Sequence, residues 1–245
     1  MLISPSKAHT IQKPRYCRLN RLVIVIIILG GLFALSGCVH APMSNVDNTQ
    51  IADNRLTLAM AYLERGQSKK ALTNLYRAQR AAPHYLPTLM AFAHYYTTVK
   101  ETERATTTYH KALQHYPHNS QLLHNFAVFL CQQTHYIQAQ HYFDKAIKQP
   151  YYQNVALSYD SAAQCWWRAR EKDKAIRFMQ QAVNHAPSRP HMLVRLLRMY
   201  IEEDRYEEAE HVYQQHQQLF SRAQQQGWET IFHRHHTTES VLAAQ

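Results

Sequence analysis

The chain has 245 residues, 27 Lys+Arg against 17 Asp+Glu, a formal net charge of +10, and only five glycines. Gly30, Gly31 and Gly37 share one apolar N-terminal stretch, which leaves Gly66 and Gly227 for everything after it. Phosphate-cradling loops built on clustered glycines are thereby excluded. A β-rich fold, whose tight turns draw on glycine at positive φ, is disfavoured, and the expected fold class is all-α.

Residues 1–21 carry five basic groups (Lys7, Lys13, Arg15, Arg18, Arg21) and no acid, and Leu22 to Leu35 are entirely apolar or Gly. A charged segment followed by an apolar segment of this length is an export signal. It closes with Leu35-Ser36-Gly37-Cys38, which resembles a bacterial lipobox. That resemblance implies cleavage before Cys38, acylation of its thiol, and outer-membrane delivery, because Val39 rather than Asp follows. An uncleaved membrane anchor is the alternative, although the apolar run is short for a span. Removing residues 1–37 leaves 22 basic and 17 acidic groups, a net charge of +5. Its densest places, Lys69-Lys70 and Arg168 to Lys174, form no contiguous stripe, so no nucleic-acid partner is expected. Residues 38–51 are polar and aperiodic beyond the Cys and read as a flexible tether.

From residue 52 the sequence repeats. Ala71, Ala105, Ala139, Ala175 and Ala209 are spaced by 34, 34, 36 and 34 residues. Ala78, Ala112, Ala146 and Ala182 keep the same steps, and Pro83, Pro117, Pro150 and Pro187 follow them. Small residues at two fixed places allow close helix approach, and the proline ends the second helix of each unit. This is the tetratricopeptide (TPR) pattern, and it predicts a right-handed α-solenoid, the TPR superhelix. Five helix-turn-helix units are expected, over 52–85, 86–119, 120–153, 156–189 and 190–223. The two extra residues fall near Tyr151 to Val155. The fifth unit loses its motif at His216 and Ser221, so 224–245 is expected to be a capping helix and tail, with Gln224 to His236 helical.

No H-E-x-x-H, G-x-S-x-G or paired C-x-x-C occurs in the chain, so no enzyme, catalytic residue, cofactor, metal site or small-molecule substrate is expected. Cys131 with His135 might be thought a thiol and its base, but His135 falls in a turn and nothing marks the thiol as activated. The trio His233, His235 and His236 reads as a solvated, partly frayed helix end rather than a metal site. Cys131 and Cys165 lie on the first helices of consecutive units. In an oxidising compartment two such thiols pair; as reduced residues they would serve as small buried hydrophobes. Both readings stand at this point.

First helices of a TPR array face its inner groove, at about unit positions 2, 5, 9 and 12. In units one and two these positions include Leu56, Met60, Leu63 and Met90, predicted to form an exposed apolar patch for a protein partner. Cover by a loop or by the tether is the alternative.

Asn125 to Cys131 (NFAVFLC), then Tyr136, Ala139, Phe143, Ala146, Pro150-Tyr151-Tyr152 and Cys165, resemble the type IV pilus biogenesis and stability lipoproteins of the PilF/PilW family. Ala127 and Ala163 stand where that family often has Gly. The resemblance implies a pilotin: a lipoprotein on the periplasmic face of the outer membrane of a Gram-negative bacterium. Such a protein binds secretin subunits and promotes their outer-membrane localisation and multimerisation. An adaptor lipoprotein of another envelope complex, for outer-membrane protein assembly or cell-wall enzymes, would share every generic feature.

Overall fold

The structure, a computed structural model, describes residues 47–243. The expected signal peptide 1–37, the lipidation site Cys38 and most of the tether lie outside these residues. Among the described residues there are helices and no strands. They run as pairs: α1 (Asn48–Glu64) with α2 (Ser68–Ala81), α3 (Leu86–Thr98) with α4 (Thr102–His115), and α5 (Ser120–Gln132) with α6 (Tyr136–Ile147). Then come α7 (Val155–Arg168) with α8 (Lys172–His185) and α9 (Pro190–Glu202) with α10 (Tyr206–His216). A short 3-10 turn, Gln217–Leu219, leads into α11 (Arg222–Ala243). The architecture is a TPR superhelix.

Each first helix is joined to its second by a three-residue turn with a residue in the left-handed region. These residues are Gly66, Lys100, Thr134, Arg170 and Asp204, so the turn repeats at the same spacing as the alanines. The following N–H reaches back to a carbonyl in the last turn of the first helix, as from Gln67 to Tyr62 at 2.8 Å and from Glu101 to Tyr96 at 2.8 Å. Such closure satisfies carbonyls that a helix end leaves open. Only the first unit uses glycine there, which explains how so few glycines suffice.

The repeated alanines at 71, 105, 139, 175 and 209 are fully buried, as are those at 78, 112, 146 and 182. At these points the helices touch through methyl groups. Larger side chains, among them Leu75, Phe126, Phe143, Met179 and Tyr200, fill the layers between. The core falls into two clusters, one running from Ala52 to Cys165 and the other from Ala156 to Phe232. They meet at α7, whose Ala162 and Cys165 belong to the first cluster and whose Ala156 and Ala163 belong to the second.

Two boundaries differ from expectation. The tether gives way to helix at Asn48, because the Asp47 carboxylate accepts the N–H of Thr49 at 3.0 Å and caps the first turn. At the other end α11 starts at Arg222 and runs to Ala243. Its Trp228 and Phe232 are buried beside Tyr213 and Phe220, closing the apolar end of the array. His235 stacks on Tyr206 with ring centroids 3.8 Å apart, and His236 contacts Glu210 at 2.8 Å. His235 and His236 therefore help to fasten α11 to α10, while His233 is exposed, and no group of metal ligands forms among the described residues.

Candidate partner-binding groove

Of the expected apolar patch at the first two units, Leu56 and Leu63 belong to the core. Leu56 and Leu63 are buried at 9% and 7% exposure, and Met60 and Met90 are half-buried against the same cluster. Helix α1 turns Leu56 and Leu63 toward its neighbours α2 and α3, so the sequence positions were right for the helix and wrong for the face. The correction has a practical consequence: a charge at Leu56 would disrupt folding rather than report on binding.

The groove proper lies further along the array. Met90, His94 and Thr97 of α3 and His124, Asn125, Val128 and Gln132 of α5 line a cleft of about 260 Å³. Val128 and Gln132 continue into a smaller cleft with Gln164 and Arg168, floored by Cys131 and Cys165. A third, of about 370 Å³, is bounded by Val194, Arg198 and Ile201 of α9 and by Trp228 and Ile231 of α11. Several first-helix positions of units two, three and five line these clefts, whereas in unit four Gln164 does so and Asp160 is buried. The contribution of α11 was not visible from the repeat pattern, because α11 lies outside it.

Cys131 and Cys165 are joined as a disulfide, with Cα atoms 5.7 Å apart and a sequence separation of 34. They sit side by side because α5 and α7 are adjacent first helices. The thiol of Cys131 is thus not free to act with His135, which instead caps α6. About two turns nearer the start of the same helices, α5 and α7, runs a buried polar chain. The Nδ1 of His124 lies 2.8 Å from the Ser158 hydroxyl, which lies 2.8 Å from that of Tyr152. Burial pushes the His124 imidazole down to about 4, so it is neutral near pH 7. Asp160 is also buried, and its carboxylate accepts from Arg195 and from Gln164. These polar groups are satisfied by one another and fix the register of α5, α7 and α9.

The outer face has clefts of its own that sequence reasoning missed. Phe126, Phe129, His110, Tyr142 and Ile137 line one of about 590 Å³ between α4, α5 and α6. Ile137, 73% exposed, also borders a second one with Tyr136 and Trp166. An isoleucine at the second position of a second helix was the available signal.

Fold and groove together define a TPR protein, a helical repeat array whose inner face is lined by first helices. The family model described as ChAPs, Chs5p-Arf1p-binding proteins, matches residues 34–214, and the chain belongs to that family. An uncharacterised protein of Haemophilus influenzae is 30% identical over 141 residues, 58% of this chain and 79% of that one. The type IV pilus assembly protein PilF of Pseudomonas aeruginosa is 22% identical over 198 residues, 79% of this chain and 77% of its own length. A solved PilF structure superposes with a TM-score of 0.60 at 20% identity, covering 71% of this chain and 79% of that chain. PilW, described as a widely conserved type IV pilus biogenesis factor, gives 0.59 at 20% identity, covering 69% of this chain and 78% of that chain.

Proposed function

We propose that this protein is a lipid-anchored adaptor of type IV pilus biogenesis, acting as a pilotin that binds secretin subunits and promotes their outer-membrane localisation and multimerisation. The observation that carries the reading is the alignment with PilF, a type IV pilus assembly protein, across 77% of its length. The mechanism is binding without chemistry. Acylation at Cys38 holds the array at the periplasmic face of the outer membrane and raises the local concentration of whatever the groove holds. The groove offers apolar floors at Val128, Val194 and Trp228 with polar rims at Gln132, Gln164 and Arg198. That combination suits an amphipathic or extended segment of the secretin.

A deletion strain complemented with the wild-type chain, with Cys38→Ser, or with Val128→Arg tests this. Secretin multimers restored by the wild type alone are expected. Full multimers in the deletion strain itself would refute the pilotin role. Co-purification with a barrel-assembly factor or a cell-wall hydrolase would assign the groove to a different envelope complex.

A further inference from the structure

The cleft at the end of the groove is built from two helices that present matching stripes. Val194, Arg198 and Ile201 share one face of α9, at steps of four and three residues. Gln224, Gly227 and Ile231 share one face of α11, at steps of three and four, and Trp228 completes the lining of a furrow of about 370 Å³. Two helices that turn such stripes toward one furrow leave a seat of the kind that a third helix fills in a bundle.

Two details of this furrow have no account in the chain by itself. Gly227 lies inside the 22-residue helix α11, where glycine costs stability relative to alanine. No crowding requires it, because a Cβ added there meets nothing within 4 Å. Trp228 is only 9% exposed, yet its indole N–H has no acceptor among the described residues. The other buried indole, Trp166, donates to Gln140 at 2.6 Å. An indole N–H at that depth ordinarily has a partner.

The polar groups of the lining are all donors. Arg198 is exposed and forms no ion pair among the described residues. The Gln224 side-chain oxygen already accepts the Ser221 N–H at 2.9 Å, which leaves its amide N–H groups. No Asp or Glu borders the furrow. Asp160 is buried and held by Arg195, Glu229 accepts from Tyr213 and Gln217, and Glu202 lies one turn beyond Arg198 on α9, outside the lining. Three donors without an acceptor call for a carboxylate on the occupant. An extended segment would bury main-chain N–H groups against a lining that cannot accept from them, whereas a helix carries its main-chain bonds internally. The missing side chain at 227 lets the backbone of such a helix come close.

We propose that this furrow seats an amphipathic helix of the secretin, which crosses α11 at Gly227 and places an Asp or Glu carboxylate against Arg198, Gln224 and Trp228. The proposal rests on the secretin reading above and adds to it the secondary structure and the charge of the bound segment.

The test uses the full mature chain with Cys38→Ser, which needs no detergent. Its probes are peptides of about 20 residues tiling the secretin sequence, labelled with fluorescein at the N-terminus and amidated at the C-terminus, so that no terminal carboxylate competes. Expected is an acidic peptide with apolar residues at helical spacing that binds by anisotropy and gains helical circular dichroism. Arg198→Glu, or amidation of the peptide's own acid, should weaken binding about tenfold or more, and the two together no further. Gly227→Ala should raise Tm by about 2–4 °C and still weaken binding about fivefold or more, which separates a seat from a structural role. Binding without helical gain would overturn the proposal and leave the secretin reading standing. So would binding that falls with Val128→Arg and ignores Arg198→Glu and Gly227→Ala. Binding by none of the peptides would overturn the proposal, and together with full secretin multimers in the deletion strain it would overturn the secretin reading as well. Self-association in sedimentation that Gly227→Ala abolishes would assign the furrow to a second copy of this chain and overturn the proposal.

Discussion

Opening the Cys131–Cys165 disulfide probes the place where the apolar core divides. The bond has a sequence separation of 34, one repeat, and joins α5 to α7, the helix to which both core clusters contribute residues. Closing a loop of that length removes about 3.8 kcal/mol of denatured-chain entropy in the loop-closure description. For an array of this size each kcal/mol moves Tm by about 2–4 °C, so the double variant Cys131→Ala, Cys165→Ala should melt about 8–15 °C below the oxidised wild type. Alanine suits the test because both cysteines are buried and it brings no polar group into the site. Thermal melts by circular dichroism, with and without a dithiol reductant, supply the readout. Reductant should lower the wild-type Tm to that of the variant and leave the variant unmoved. Equal Tm for oxidised and reduced wild type, with thiol titration verifying reduction, would refute the reasoning.

Other predictions concern the groove, the turns and the core. His124 is held down to about 4 by burial, whereas in the unfolded chain an imidazole titrates near 6.5. Between these values the unfolded state binds a proton that the folded state does not. Stability should therefore fall as pH drops from about 6.5 to 4, with a slope of up to about 1.4 kcal/mol per pH unit from this group. His124→Gln should remove that component in urea melts taken across the window. In the turns, Thr134 is β-branched at a φ of 64°, so Thr134→Gly should raise stability by up to about 1 kcal/mol. Gly66→Ala, at a φ of 71° with open space around the added carbon, should lower it by about 1 kcal/mol. In the third cleft, Arg198→Glu at an exposed position should change stability by less than about 0.5 kcal/mol while reducing secretin co-purification. Leu56→Ala, in the core, should instead cost about 2–5 kcal/mol in a denaturant melt.

The 34-residue period of Ala71, Ala105 and their successors was enough to place every helix pair, because those alanines sit where helices approach closest and nothing larger fits. Exposure was harder to read. Leu56 and Met90 occupy the same unit position, yet one is buried and the other only half-buried, a difference that the repeat spacing does not encode. Val128 was legible as a groove residue from its position, but the cleft closed by Trp228 and Ile231 depends on where α11 docks. No repeat spacing encodes that docking. Tyr151 was visible as part of an inserted pair of residues, whereas its exposure and backbone conformation are properties of the folded loop.

The central claim is that the inner groove holds secretin. A photo-activatable phenylalanine analogue placed at Val128 in the groove, and in a separate strain at Ile137 on the outer face, tests it in living cells. The account predicts a crosslink to secretin from position 128 and none from position 137. Crosslinks from 137 alone, or capture of an unrelated envelope protein from 128, would contradict it.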